Sequence, residues 1–249
     1  MPRYDFRTPR LYVDAPLAGR REIALDRDQA NYLLNVLRCK RGDEVLLFNG
    51  REGEWQARLA GSGKKALSAD IGAQTREQPP ARDLHFLFAP LKHARLDYLV
   101  EKAVEMGASR LQPVITRHTQ VARVNLERMR ANVIEAAQQC GILTLPEVAA
   151  PVAFDGMVEN IEAGRVLVFC DEHAEVRDPV AALAAVRGGR PLAVLIGPEG
   201  GFAEEERAAL LKRPNVARIA LGPRILRADT AAVAALALVQ AVLGDWRGG

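Results

Sequence analysis

The feature that most constrains the fold is the stretch 192–243, where an apolar run, a glycine loop and a helical pattern occur twice in succession. The apolar runs are Leu192–Ile196 and 216–221. The loops are Gly197-Pro198-Glu199-Gly200-Gly201 and Gly222-Pro223-Arg224-Ile225-Leu226-Arg227. Short apolar runs bounded by Gly and Pro fit strands covered on both faces, the pattern of a parallel sheet. Ligands of open α/β sheets sit beyond the carboxyl ends of the strands, and both loops fall there. Glycine lets the backbone take positive φ and come close to a bound molecule. Each loop alone could simply end a strand, but two in consecutive units point to a site. Neither loop carries Gly-Lys-Ser/Thr and neither reads G-x-G-x-x-G, which disfavours ATP and NAD.

The chain before this stretch divides in two. Residues 1–76 read as mainly β, with strands predicted at 21–25, Glu44–Phe48 and 54–59, and turns at Asn49-Gly50 and Gly61-Ser62-Gly63. A helix is predicted over 28–37, with Leu33, Leu34 and Leu37 on one face. REQPPAR, residues 76–82, is a linker stiffened by Pro79-Pro80, with the boundary near Gln78. Strands and helices then alternate. Strand 84–89 leads to helix 93–106, where Leu96, Leu99, Val100, Ala103 and Val104 repeat at helical spacing and Gly107 is the C′ residue. Strand 111–115 ends in the polar loop Arg117-His118-Thr119. Asn125 caps helix Leu126–Cys140, and 146–151 is an extended connector. Strand Val166–Cys170 runs into Asp171-Glu172, and Asp178 caps a helix over 179–186 with Pro179 at its first position. A helix from about Ala203 opens with Glu204-Glu205-Glu206, as the helix dipole favours. The last helix, 231–243, is apolar nearly all round, so it must be buried in its own domain or against a partner. At that length, and with Gln240 inside it, it is too short to span a bilayer. The whole reads as an α/β chain whose C-terminal part is a parallel sheet covered on both faces.

Charge and cysteines narrow the classes. The chain has a net charge of +3. Residues 1–80 hold fourteen Lys/Arg against eleven Asp/Glu, and the remainder holds twenty of each, so the excess is N-terminal. A basic excess attracts phosphate, though this one is small. Cys39, Cys140 and Cys170 are far apart and odd in number, which reads as reduced thiols in a cytosolic protein. The polar start lacks an apolar signal-peptide core, and no zinc spacing, paired His or GxSxG appears. No metal and no membrane are expected.

Three groups of residues carry a resemblance. Leu195-Ile196-Gly197-Pro198-Glu199-Gly200-Gly201-Phe202 is followed by Leu221-Gly222-Pro223-Arg224-Ile225-Leu226-Arg227-Ala228-Asp229-Thr230-Ala231. Val36-Leu37-Arg38 precedes Arg41-Gly42-Asp43, and Lys92, Glu101-Lys102, Glu105-Met106-Gly107, Pro113 and Arg117 follow in order. Together they resemble the RsmE family of SPOUT-class methyltransferases. Two departures stand out: the family usually has Glu at Asp229, and a Glu at Gln138 with an Arg after Cys140, both missing here.

The resemblance implies an N-terminal PUA-like β-barrel, residues 1–76, that binds RNA, and a C-terminal SPOUT α/β domain, residues 77–249, with a trefoil knot. Periodicity alone gives no hint of a knot. It implies S-adenosylmethionine-dependent methylation of N3 of a uridine in bacterial small-subunit (16S) ribosomal RNA, with free rRNA or the assembled small subunit as partner, in a cytoplasmic homodimer. By resemblance the cofactor nests among Cys170, Asp171 and Glu172, then Ile196, Gly197, Pro198, Glu199, Gly200 and Gly201, then Leu221, Gly222, Ile225 and Leu226. RNA contacts are expected from Arg3, Arg7, Arg10, Arg38, Lys40 and Arg41 on the barrel surface, and from Lys92 and Arg117. Arg227, with Arg224 as a second cation, suits the stabilisation of charge developing on a uridine that loses its N3 proton. Asp229 is either catalytic or a helix cap, and no residue declares itself as general base. Two other classes stay open at this level: an RNA-binding protein that keeps the fold without activity, and an unrelated nucleotide-dependent α/β enzyme.

Overall fold

A computed structural model describes residues 5–61, 67–121, 123–175, 178–186 and 188–247. The chain forms two compact units, one of 1–81 with Ile134–Leu145 and one of Arg82–Val133 with 146–249.

The first unit is built on a five-stranded sheet. Its strands are β1 (Arg10–Tyr12), β2 (Glu22–Ala24), β3 (Glu44–Phe48), β4 (Glu54–Ala60) and β5 (Ser68–Arg76), in the order β1-β3-β4-β5-β2. β1 pairs in parallel with β3, and the other pairs are antiparallel. Leu11, Val45, Leu47, Ala57, Leu59 and Ala69 fill its core. β1 and β5 were not foreseen. At three residues β1 is too short for alternation to register, and β5 carries Gly72 followed by four exposed or half-exposed polar and small positions at its end. The turn between β3 and β4 follows from its residues: Asn49 Oδ1 accepts the backbone N–H groups of Arg51 and Glu52, both at 3.0 Å, and Gly50 takes φ +80°.

Helix α1 (Arg27–Asn31) starts in a capping box. Asp26 accepts the Gln29 N–H at 2.8 Å, and Gln29 Oε1 accepts the Asp26 N–H at 2.9 Å. The single helix expected over 28–37 is not what forms: residues Tyr32–Val36 wind as a π-helical turn, closed by Leu37 N–H on the Tyr32 carbonyl. The wider turn sends Leu33 fully into the core and leaves Leu37 and Val36 exposed, so Leu33, Leu34 and Leu37 do not share one buried stripe.

Arg10 corrects a second expectation. The sequence puts it on an RNA-facing surface, yet its side chain is 3% exposed and its Nε donates to Glu54 Oε2 at 2.6 Å. Arg76 grips both oxygens of the same carboxylate at 2.9 and 2.7 Å, and Thr75 Oγ1 donates to Oε1 at 2.9 Å. Burial alone would raise the pKa of Glu54, but the hydrogen bonds from Arg76 and Arg10 outweigh it and hold the carboxyl below its ordinary value. Gln138, one of the departures from the family, accepts the Tyr12 N–H through Oε1 at 2.8 Å. An amide oxygen fills that acceptor position without the charge of a carboxylate.

The second unit is a parallel sheet. Its strands are β6 (Leu84–Phe88), β7 (Arg110–Ile115), β8 (Glu147–Val148), β9 (Val152–Ala153), β10 (Val166–Cys170), β11 (Leu192–Ile196) and β12 (Val216–Ile219). The order is β12-β10-β11-β6-β7-β8, with β9 also on β7, and every pairing is parallel. Part of the expected connector 146–151 is therefore the edge strand β8. β12 stops at Ile219, two residues short of its expected end.

The helices are α2 (Ala94–Glu105), α3 (Leu126–Cys140), α4 (Phe154–Asn160), α5 (Pro179–Ala184), α6 (Glu204–Leu211) and α7 (Ala228–Val242). α4 was not foreseen, because only Phe154 and Met157 mark a buried face in so short a segment. The expected caps are present: Asn125 Oδ1 accepts the Arg128 N–H at 3.0 Å, and Asp178 accepts those of Val180 and Ala181 at 2.9 and 3.0 Å. Gly107 ends α2 at φ +78°; a Cβ there would stand 2.7 Å from Gln240 Nε2, which donates to the Met106 carbonyl at 2.6 Å. Only glycine lets α2 and α7 close around that amide.

α7 begins three residues earlier than expected. Together with the turn of 3-10 helix that follows α7, the segment Ala228–Arg247 is long and apolar enough by length and composition to cross a membrane, which corrects the expectation drawn from the shorter run 231–243. In this fold it packs on α2, α5 and β11, with Ala232, Ala235, Leu236 and Val239 buried.

Candidate active site

β12, β10 and β11 are neighbours in the sheet, so their carboxyl ends bring three loops together. The loops enclose a cavity of about 740 Å³, within the range that holds small-molecule ligands. From the loop after β10 come Cys170, Asp171 and Glu172, joined by His173 and Ala174. From the loop after β11 come Ile196, Gly197, Pro198, Glu199 and Gly201, with Phe202 behind them. From the loop after β12 come Leu221, Gly222, Pro223, Arg224, Ile225 and Leu226. Of the expected cofactor residues, Gly200 is the one that does not line the cavity. Its carbonyl and that of Gly201 each lie 3.1 Å from His118 Nδ1, which must carry its hydrogen to serve both.

The glycines are required by packing. A Cβ on Gly197 would stand 2.6 Å from the Phe202 ring, which is wedged edge-on against Phe169 at 5.2 Å between centroids. Gly201 has φ +69°, and a Cβ there would meet Glu172 Oε1 at 2.9 Å. The backbone therefore forms the wall where a side chain would close it.

The charges fall into two networks. Asp171 is buried: Oδ2 accepts from Arg218 Nε at 2.7 Å and Arg207 NH2 at 3.2 Å, and Oδ1 accepts the His173 N–H at 3.0 Å. Its carboxylate holds the loop after β10 in shape. Next to it, burial pushes the Cys170 thiol up to about 12, with the Asp171 charge adding to the effect, so the thiol stays neutral.

The second network centres on Asp229, in the first turn of α7. Arg95 donates from Nε to its Oδ2 at 3.0 Å and from NH2 to its Oδ1 at 3.3 Å, while NH1 reaches Glu199 Oε1 at 2.7 Å. Oδ1 also accepts the Thr230 N–H at 2.9 Å. The Arg95 hydrogen bonds, more than any other cause, hold the Asp229 carboxyl below its ordinary value. Arg227, not Asp229, is the N-cap residue of α7, and it makes no side-chain cap bond. Its side chain is 76% exposed, with Nε 4.0 Å from Asp229 Oδ1. Neither Arg227 nor Asp229 lines the cavity, but Ala228 and Ala231 beside them do, as does Arg224.

Arg95 was missed by sequence reasoning. β6 adjoins β11, so a cation in the first turn of α2 lands beside the loop after β11, but that strand order is not legible in the sequence. Of the expected RNA residues, Arg7, Arg38, Lys40 and Arg41 are exposed on the first unit, and Lys92 and Arg117 on the second. Arg38 adopts φ +58°, and Arg41 donates to the Gly61 carbonyl. Arg3 lies outside the described residues. Among the described residues no group of His, Cys, Asp and Glu is arranged to hold a metal ion.

Residues 77–240 match a family model described as an RNA methyltransferase domain, and residues 25–72 match one described as an RNA methyltransferase PUA domain. The ribosomal RNA small subunit methyltransferase E of Rickettsia conorii is 31% identical over 232 residues, covering 93% of this chain and 94% of its own length. That of Synechocystis is 30% identical over 227 residues, covering 89% of this chain and 73% of its own. The crystal structure of the Neisseria gonorrhoeae ribosomal RNA small subunit methyltransferase E, bound to S-adenosyl methionine, superposes with a TM-score of 0.85 at 27% identity, covering 96% of this chain and 100% of its own.

Proposed function

The chain belongs to the ribosomal RNA small subunit methyltransferase E family, and from that premise we propose that it methylates N3 of a uridine in small-subunit ribosomal RNA, using S-adenosylmethionine. The observation that carries the reading is the single cavity formed by the loops after β10, β11 and β12. Its lining suits this cofactor. Ile196, Phe202, Leu221, Ile225 and Leu226 offer apolar surface to a purine ring, and glycine backbone stands where side chains would intrude. Glu172 and Glu199 on one hand, Arg207 and Arg224 on the other, match a ligand that carries both signs of charge. S-adenosylmethionine supplies a methyl group already activated on a sulfonium.

What remains for the protein is to bind, orient and stabilise charge. Arg224 and Arg227 stand at the second glycine loop, where a guanidinium reaches the oxygens of a base that loses its N3 proton. The Asp229 carboxylate has both oxygens engaged by Arg95 and stays ionised at neutral pH. Its role in this reading is to anchor Arg227 through their 4.0 Å approach rather than to take the proton. The exposed Arg7, Arg38, Lys40, Arg41, Lys92 and Arg117 are the residues for RNA phosphates. The reading includes a homodimer, the family's trefoil-knotted path and a place in the cytoplasm, where ribosomal RNA is found. The free rRNA and the assembled small subunit are its alternative substrates.

The test is methyl transfer from labelled S-adenosylmethionine to small-subunit rRNA and to assembled subunits, with the modified nucleotide mapped by mass. Transfer to a uridine N3 is expected. Cofactor at about one hundred times its Kd should stabilise the fold by roughly 2.7 kcal/mol. No transfer to either substrate, or melting unchanged by saturating cofactor, would overturn the reading. Light scattering that shows a monomer at micromolar concentration would remove the dimer from it.

A further inference from the structure

The Arg95 guanidinium touches both halves of the site without lining the cavity. Its NH1 lies 2.7 Å from Glu199 Oε1, in the loop after β11. Its Nε and NH2 lie 3.0 and 3.3 Å from the two oxygens of Asp229, just past the loop after β12. These partners are 104 and 134 residues away in sequence. The planar fork of an Arg directs its donors to two carboxylates at fixed angles, which the single ammonium of a Lys cannot do. Asp229 side-chain exposure is 11%, against 34% for Arg95, so the carboxylate end of the bridge is largely withdrawn from water. The pairing strengthens both ions: Arg95 is held above its ordinary pKa and Asp229 below. Arg227 Nε lies 4.0 Å from Asp229 Oδ1, so the carboxylate fixed by Arg95 is also the counter-charge of the exposed guanidinium.

We infer that Arg95 is a positioning residue for methyl transfer: it clasps the two glycine loops at a fixed separation through Glu199 and Asp229, and through Asp229 it sets where Arg227 stands. The inference rests on the proposed methyltransferase reading and goes beyond it by giving a role to a residue outside the cavity. If the clasp only braced the fold, loss of Arg95 would lower thermal stability and leave turnover at saturating cofactor unchanged. If it positions the loops, turnover falls even when cofactor is saturating, because a misplacement of about 1 Å costs on the order of 10²-fold in rate.

The experiment uses the full chain with Arg95→Ala, Arg95→Lys and Glu199→Gln. Three quantities are measured on each: melting temperature, S-adenosylmethionine affinity by calorimetry, and kcat for rRNA methylation at saturating cofactor. Arg95→Ala is expected to weaken cofactor binding and to lower kcat by roughly 10²-fold. Arg95→Lys is expected to recover affinity in part and kcat little. A double-mutant cycle of Arg95→Ala with Arg227→Ala is expected to be non-additive in kcat. If Arg95→Ala does not fold, Arg95→Lys and Glu199→Gln, which each loosen one arm of the clasp, decide the matter in the same way. Wild-type kcat at saturating cofactor in these variants, whatever their melting temperature, overturns the inference. A wild-type chain that neither binds the cofactor nor methylates rRNA overturns the underlying reading instead, and calorimetry on the wild type separates the two.

Discussion

Asp171→Ala tests whether the floor of the cavity is held by charge. The side chain is 3% exposed, and its two oxygens take three hydrogen bonds, from Arg218, Arg207 and the His173 N–H. Alanine leaves two guanidiniums facing an empty acceptor position. Removing one member of a buried ion pair typically costs about 3–5 kcal/mol. Here the cations are 15% and 27% exposed and regain some water, which places the expected loss near the lower end, about 3 kcal/mol. For a protein of this size that corresponds to a fall in Tm of roughly 6–12 °C. Asp171→Asn keeps one acceptor oxygen but sets an NH2 group against an arginine, so it is expected to lose a smaller share. Because the His173 N–H is anchored by this carboxylate, the loop after β10 should loosen, and cofactor affinity should fall alongside stability. Differential scanning calorimetry with and without S-adenosylmethionine reads both. A Tm within about 2 °C of wild type, with unchanged cofactor affinity, would show that the arginines simply rehydrate and that the network does not shape the cavity.

Gly197→Ala drives a methyl into the Phe202 ring; overpacking of this kind costs about 1–3 kcal/mol, and cofactor binding measured by calorimetry should fall with stability, whereas wild-type affinity would show that the ring yields freely. Glu54→Gln leaves Arg10 buried against a neutral partner and should destabilise by roughly 3 kcal/mol in urea unfolding at pH 7. The folded-state pKa of Glu54 is depressed, so its contribution is fully present above the unfolded value, about 4.3, and is lost as pH falls below it. The variant should therefore lose less stability than wild type between pH 5 and about pH 3, and parallel pH profiles would contradict the depressed value. Cys170 is half-buried at the cavity wall, and its thiol, pushed up to about 12, should react more slowly with iodoacetamide at pH 8 than the exposed Cys140; equal labelling of the two by peptide mass analysis would contradict the raised value.

The parts of the fold that were legible from sequence are those where one local pattern decides the outcome. β10 and β11 have the expected bounds because a five-residue apolar run between polar turns has few alternatives. The caps at Asn125 and Asp178 were legible because a short side-chain oxygen satisfies helix amides wherever it occurs. Where tertiary packing sets the local state, the pattern misled. The π-helical turn at Tyr32–Val36 follows from the demand of one core for Leu33, and helical periodicity carries no record of that demand. β5 pairs with both β4 and β2 despite its small and polar residues, because the ladder, not propensity, makes it a strand.

The site shows the same division, with a sharper consequence for charged residues. Glycines that line a cavity announce themselves, since the backbone demand that selects them is local. The role of an Arg or Asp depends on partners that sequence does not display. Arg10 and Arg7 look equivalent as basic residues near the N-terminus, yet one is locked to Glu54 in the core and the other is exposed. Asp229 has a helix-start position compatible with a cap and a loop neighbour, Arg227, compatible with a catalytic pair. Its principal partner is neither: Arg95, at the start of the helix after β6 and 134 residues away in sequence, binds both oxygens at 3.0 and 3.3 Å, while Arg227 stands at 4.0 Å. An anion so satisfied is a poor proton acceptor and a good anchor. In the proposed reading the proton leaving uridine N3 goes to another acceptor, and Asp229 contributes geometry and counter-charge rather than a base.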